Sequence, residues 1–165
     1  MEFAKTIETK RLTLSPISLL DFLFFWRLTG NLEVRRYLGG PVPWKRRITQ
    51  FRNYIKGHKR VGVWAVRMKG SRKTIGLLIL SPHKDGVEYE VSYEFNPNFW
   101  SKGLASEATS SVINHGINDL KLKQIIAETQ SANTASCRML RKLGFIEVRK
   151  LERFGAEQVI LIKSK

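Results

Sequence analysis

The chain has 165 residues, 42% of them hydrophobic and 26% charged, which predicts one folded domain over residues 1–165 and excludes intrinsic disorder. No apolar run reaches the roughly 18 residues of a membrane span, no secretory leader pattern is recognisable, and a single cysteine, Cys137, excludes an internal disulfide; a cytoplasmic protein is expected. Lys and Arg number 29 against 14 Asp and Glu, a net charge of +15, and a field of that size concentrates anions around the molecule.

In chain order, Thr9–Ser15 alternates polar and apolar residues and predicts a first strand. Ser18, with Asp21 three residues on, forms a variant capping box ahead of a helix to about Leu28. A short helical piece is expected over Leu32–Leu38, stopped at Gly39-Gly40-Pro41. Trp44–Lys59 places Ile48, Phe51 and Ile55 at helical spacing between basic residues, an amphipathic helix with a cationic outer face. Val61–Met68 and Thr74–Leu80 predict a hairpin about Lys69-Gly70-Ser71, and Gly86–Phe95 a third strand. Ser101–Leu120 reads as a helix, Gln124–Thr129 as a short buried strand and Asn133–Leu143 as a helix ended by Gly144. Phe145–Leu151 and Glu157–Ile162 close the chain as a hairpin. Antiparallel strands followed by a strand–helix–strand unit predict an α+β (mixed α/β) sheet rather than a doubly wound one.

The cations are unevenly placed. Val34–Lys84 contains no acidic residue and fourteen Lys and Arg. This basic window is either a solvated face or a surface for an anionic partner such as RNA. The aromatic residues inside it, Trp44, Phe51, Tyr54 and Trp64, are at helical or strand spacing and are expected in the core.

Two segments carry chemistry. Glu90–Ala108 (EVSYEFNPNFWSKGLASEA) runs from a strand through a loop holding Gly103 into a helix rich in small residues. Unpaired N–H groups at a helix N-terminus, aided by the helix dipole, bind anions; Gly103 permits close backbone approach and Lys102 adds charge. No Walker and no G-x-G-x-x-G pattern occurs. Ser131–Phe145 (SANTASCRMLRKLGF) places Asn133 at an N-cap, with Ser136 one turn into the helix. Cys137 lacks a nearby base and is not expected to be a nucleophile. Cys137, His58, His83 and His115 show no metal-ligand spacing, so no metal site is expected.

Together these segments resemble the GCN5-related N-acetyltransferase (GNAT) superfamily, and within it the branch of bacterial ribosomal-protein N-terminal acetyltransferases. ETKRLTLSPIS, LEVRRYLGG, VWAVRMKGSRKTIGLLIL, EVSYEFNPNFWSKGLASEA and NTASCRMLRKLGF are similar to successive segments of that branch. The resemblance implies a mostly antiparallel seven-stranded sheet flanked by about four helices, with acetyl-CoA as co-substrate. Trp100, Ser101, Lys102, Gly103, Leu104 and Ala105 match the coenzyme loop, whose amides hold the pyrophosphate. Ser101 stands where glycine is common. Phe95 would present its backbone to the pantetheine arm, and Asn133 and Ser136 match coenzyme-contacting residues. The superfamily's tyrosine acid is replaced by Leu140, which leaves Ser136 as the substitute candidate.

The implied reaction is direct acetyl transfer to a primary amine, with a protein N-terminus as the favoured acceptor. Glu90 and Glu128 are candidate general bases acting through water, and Glu94 shares a strand face with Glu90. A backbone N–H of the neighbouring strand would stabilise the oxyanion. The alternatives are a non-catalytic acyl-CoA or nucleic-acid module on the same fold, or an acetyltransferase for small amines. The window Val34–Lys84 is expected to dock an anionic acceptor or an RNA-rich particle such as the ribosome, and the protein to be a monomer or homodimer without membrane attachment.

Overall fold

The computed structural model describes residues 3–71, 73–86 and 88–165; Arg72, one of the cations of the basic window, lies outside them. The elements are β1 (Ile7–Glu8), β2 (Leu12–Pro16), α1 (Phe22–Thr29), α2 (Trp44–Lys56), β3 (Gly62–Met68), β4 (Thr74–Pro82), β5 (Tyr89–Phe95), α3 (Leu104–Asn114), β6 (Gln124–Gln130), α4 (Thr134–Lys142), β7 (Ile146–Arg153) and β8 (Ala156–Ser164). Among the described residues the strands form one sheet in the order β1-β2-β3-β4-β5-β6-β8-β7, and within it only β5 and β6 run parallel. The expected mixed fold is present, with four helices and eight strands among the described residues.

The eighth strand is Ile7–Glu8, ahead of the expected Thr9–Ser15 run, whose first residues form a turn while Leu12–Pro16 make β2. Thr9 N donates to Leu12 O, and Leu12 N donates to Thr9 Oγ1. This tight turn joins β1 to β2 and delays the start of β2 to Leu12. The helix expected at Leu32–Leu38 is a chain of turns instead. Asn31 Oδ1 accepts the Glu33 and Val34 amides, but the backbone then closes turns of three-residue span, Arg36 N to Glu33 O and Leu38 N to Arg35 O, and the Arg35 guanidinium holds the carbonyls of Leu38 and Gly40 at 2.8 and 3.1 Å beyond them. Helix α2 stops at Lys56, where Gly57 turns left-handed.

Sheet alternation sorts the side chains into two layers. Leu14, Trp64, Val66, Leu78, Val91, Phe95, Ala127 and Leu161 pack under α3 and α4 in one core. Ala65 and Leu77 face the other way and meet Phe25, Leu28 and Phe51 of α1 and α2 in the second. Of the aromatics expected inside, Phe51 and Trp64 are buried, whereas Trp44 is 58% exposed at the start of α2. Helix α3 ends in a wide turn, His115–Asp119, where Gly116 passes close to β6: a Cβ there would lie 2.6 Å from Ile125 Cδ1. Among the described residues no helix is long and apolar enough to cross a membrane.

Asp21 does more than cap. Its carboxylate, 2% exposed, receives Ser18 N and Oγ, Thr74 Oγ1 and the Arg67 guanidinium. This cluster ties the start of α1 to β3 and β4.

Candidate active site

Neighbouring strands β4 and β5 pair over seven registers, as do β6 and β8, but β5 and β6 pair at only two, Tyr89 with Ile125 and Glu90 with Ile126. Beyond these the two strands separate, and an opening forms in the sheet. Asn96 N donates to Ile75 O at 2.9 Å, which sets the phase of the antiparallel ladder: even-numbered β5 residues bond β4, and the backbone of Tyr93 and Phe95 turns toward the opening. The Phe95 carbonyl is already taken by the Trp100 indole Nε1 at 2.8 Å. The Phe95 and Tyr93 amides remain as donors along this edge.

On the α3/α4 side, the loop after β5 enters α3 at Gly103, which caps the helix with φ +71°. Ser101 also has a positive φ, +59°, which accounts for glycine being common at that place. Ser101, Lys102 and Gly103 are exposed while Leu104 is buried in the core, so the first turn is anchored by its side chain and offers its amides outward. Lys102 Nζ does not face the loop; it bonds Asn98 O at 2.9 Å. A cation absent from the motif backs the loop instead. Arg11 bonds Lys102 O at 3.0 Å and Glu107 Oε2 at 2.6 Å, and Thr9 Oγ1 bonds Glu107 at 2.6 Å. The turn that joins β1 to β2 thus fixes the start of α3.

Asn133 caps α4 as expected: its Oδ1 accepts Ser136 N at 3.3 Å, and its Nδ2 reaches Thr129 Oγ1 at 3.3 Å. Ser136 Oγ lies 2.6 Å from Tyr93 Oη, a contact the sequence reading missed. Burial pushes the Tyr93 hydroxyl up to about 12, opposed by its bond to Ser136. Leu140 is 1% exposed in the core, so no acid is supplied from its position. Cys137 is buried, which raises its thiol and fits its expected inertness.

The α1/α2 side holds a cleft of about 680 Å³ between the sheet, α2 and the 37–43 turn. Glu90 and Glu128 line it, and both lie on this face by register: Glu90 pairs with Ser81, and Glu128 with Ile160. Burial pushes the Glu90 carboxyl above the usual range, and the Glu128 charge acts in the same direction against the pull of His83. Its one side-chain bond is a long one, 3.4 Å from Ser92 Oγ. Glu128 is more firmly held. Its Oε2 lies 2.9 Å from His83 Nε2 and 3.1 Å from Arg153 Nη1, while its Oε1 is buried without a hydrogen-bond partner. His83 Nδ1 accepts the Asp85 amide at 3.3 Å, which directs the Nε2 proton at Glu128. Glu94 is not among the cleft-lining residues: Arg35 Nη1 binds it at 2.7 Å, and burial raises its carboxyl against that pairing. The same guanidinium clasps the 35–40 turn that walls the cleft.

Among the described residues no group of His, Cys, Asp and Glu is arranged to hold a metal ion. What the arrangement offers is a donor-rich loop on one face, a carboxylate-lined cleft on the other and an opening between them.

Comparisons with known proteins identify the family of this fold. The family model described as "Acetyltransferase (GNAT) domain" matches residues 11–146. The chain is 29% identical over 138 residues to an uncharacterized N-acetyltransferase of Bacillus subtilis, YnaD, covering 84% of this chain and 81% of the relative. It is 30% identical over 147 residues to a second from that organism, YoaA, again covering 84% and 81%. A GNAT-family acetyltransferase from Bacillus anthracis superposes with a TM-score of 0.84 at 22% identity, over 97% of this chain and 98% of that one. The spermidine N-acetyltransferase of Vibrio cholerae, in complex with CoA and spermine, superposes with 0.83 at 18% identity, over 94% and 96%. The chain belongs to the GNAT family and is an acetyl-CoA-dependent N-acetyltransferase.

Proposed function

We propose that this enzyme acetylates a primary amine, specifically a protein N-terminal α-amine, by direct transfer across the opening between β5 and β6. The observation that carries the reading is the placement of the Gly103 loop and the carboxylate cleft on opposite faces of that opening. On the α3/α4 side, amides from Ser101 to Ala105 would hold the coenzyme diphosphate, with Trp100 and Arg11 bracing the loop and Asn133 and Ser136 beside the arm. On the other side the Glu128 carboxylate, whose Oε1 makes no hydrogen bond and lies 3.7 Å from Lys84 Nζ, receives the acceptor N–H, and Glu90 takes the proton directly or through water. A carboxyl raised by burial is the better matched base. The amine nitrogen bonds to the thioester carbonyl carbon, the C–S bond breaks, and its electron pair leaves on sulfur. A β5 amide facing the opening supports the oxyanion.

An α-amine suits this site. With a reference pKa of about 7.7–8.0, roughly a tenth is neutral at pH 7, against well below roughly 1% for lysine at about 10.4. Arg46 lines the cleft, and Lys45, Arg52 and Lys56 lie exposed on the neighbouring face of α2; no ion-pair partner lies near these four among the described residues. They favour an acceptor carried on an anionic partner, as RNA-associated proteins are, over a polyamine like that bound to the Vibrio relative.

The test is a turnover screen with acetyl-CoA against N-terminal peptides, lysine peptides and spermidine at several ionic strengths. The expected result is highest kcat/KM on N-terminal peptides, with acidic peptides weakened by salt. Preference for spermidine, or rates on acidic peptides indifferent to salt, would contradict it.

A further inference from the structure

We infer that Tyr93 is a positioning residue for the leaving group, holding the Ser136 hydroxyl so that its proton points at the coenzyme sulfur; this rests on the coenzyme reading above. The geometry is specific. The β5–β6 ladder ends at Glu90 and Ile126, Tyr93 lies three residues further along β5, and Ser136 lies in the first turn of α4, the helix that follows β6. Their hydroxyls meet at 2.6 Å beside the opening through which the acetyl group must pass. The backbone of Ser136 is fixed independently by the Asn133 cap.

Two hydroxyls in contact share one hydrogen bond and leave one proton free. When Tyr93 donates to Ser136 Oγ, the serine proton is the free one, and donation into its oxygen strengthens it as a donor. As the C–S bond breaks, charge grows on sulfur and the serine O–H bonds to it. No proton needs to cross. Tyr93, pushed up to about 12, would give its proton to a thiolate of reference pKa about 8.5 only against a gap of about 3.5 units. The amine's proton goes to Glu90, the thiolate departs as the anion, and water protonates it after release. With Leu140 buried in the core, this pair supplies what that position does not.

The experiment titrates the thiol of coenzyme A bound to the protein, followed by its thiolate ultraviolet absorbance, in the wild type, Tyr93→Phe, Ser136→Ala and the double variant. Tyr93→Phe keeps the ring in its packing. The thiol is expected to titrate lower in the wild type than in either variant by about one unit, tenfold in the ionisation constant, and the double variant is expected to add nothing further. With an active acceptor, kcat falls roughly 10–100-fold in each variant while KM for acetyl-CoA stays fixed. Ser136→Thr, which keeps the hydroxyl, recovers part of the loss. Coenzyme bound with the same thiol pKa in all four proteins, or losses that simply add, would overturn the role of Tyr93 alone. No binding of coenzyme A to the wild type would overturn the coenzyme reading and this inference with it.

Discussion

Replacing Glu90 with Gln is expected to lower kcat roughly 10²–10⁴-fold at neutral pH, the range measured for loss of a positioned general base, or about 2.7–5.5 kcal/mol of barrier. Coenzyme affinity should not change, because Glu90 lies on the opposite face of the sheet from the Gly103 loop. The pH profile carries the sharper signature. The base acts only when ionised, so the rate rises with pH through the Glu90 pKa. Burial raises that pKa, so the Glu90 limb lies above the ordinary carboxylate range and should vanish in Glu90→Gln, leaving only the limb from the acceptor amine's own ionisation at about 7.7–8.0. Glu128→Gln should behave differently. Its carboxylate already serves His83 and Arg153, so its loss should raise acceptor KM while the Glu90 limb survives. A profile that keeps that limb without Glu90 and loses it without Glu128 would exchange the two roles.

The second large effect is on stability. Asp21→Ala should cost about 3–5 kcal/mol, since it leaves the Arg67 guanidinium and Thr74 hydroxyl without their shared acceptor beneath α1. For a domain of this size that lowers Tm by on the order of 10 °C. Calorimetric scanning checks it. A shift of a degree or two would mean that water replaces the carboxylate, and the cluster would not then be what anchors α1 to the sheet.

What could be read from the chain in advance follows contact range. Helix α4 was legible to its ends because Asn133, Ser136 and Gly144 signal locally: the cap bonds Ser136 N, and Gly144 N and Phe145 N return to Arg141 O and Leu140 O. The Gly103 loop was legible for the same reason. The Leu32–Leu38 piece differs because helical spacing cannot reveal that its backbone closes turns of three-residue span, Arg36 to Glu33 and Leu38 to Arg35, or that the Arg35 guanidinium reaches Glu94, 59 residues away. Strand β1 and the late start of β2 were hidden likewise, since alternation from Thr9 persists through the turn made by the Thr9 hydroxyl.

Site residues followed the same rule. Glu90, Glu128, Asn133 and Ser136 are singled out by the family resemblance of their segments, and the register brings the first two to one cleft and the last two to the other face. Arg11, His83, Tyr93 and Arg153 gave no such signal. Their partners lie 96, 45, 43 and 25 residues away, and only the closed sheet puts them together. The surplus charge was plain from composition, but its sorting was not. Arg35, Arg67 and Lys84 face Glu94, Asp21 and Glu128, whereas the outer face of α2 keeps its cations exposed.

The account stands on main-chain donors at the start of α3 gripping a diphosphate, with the acyl arm threaded where β5 and β6 part. A crystal structure of the complex with coenzyme A tests this most directly. The account predicts diphosphate oxygens within hydrogen-bond distance of amides from Ser101 to Ala105, and the arm running between Phe95 and Asn133. Coenzyme A seated elsewhere, on the basic face of α2 for example, with those amides left to water, would contradict it.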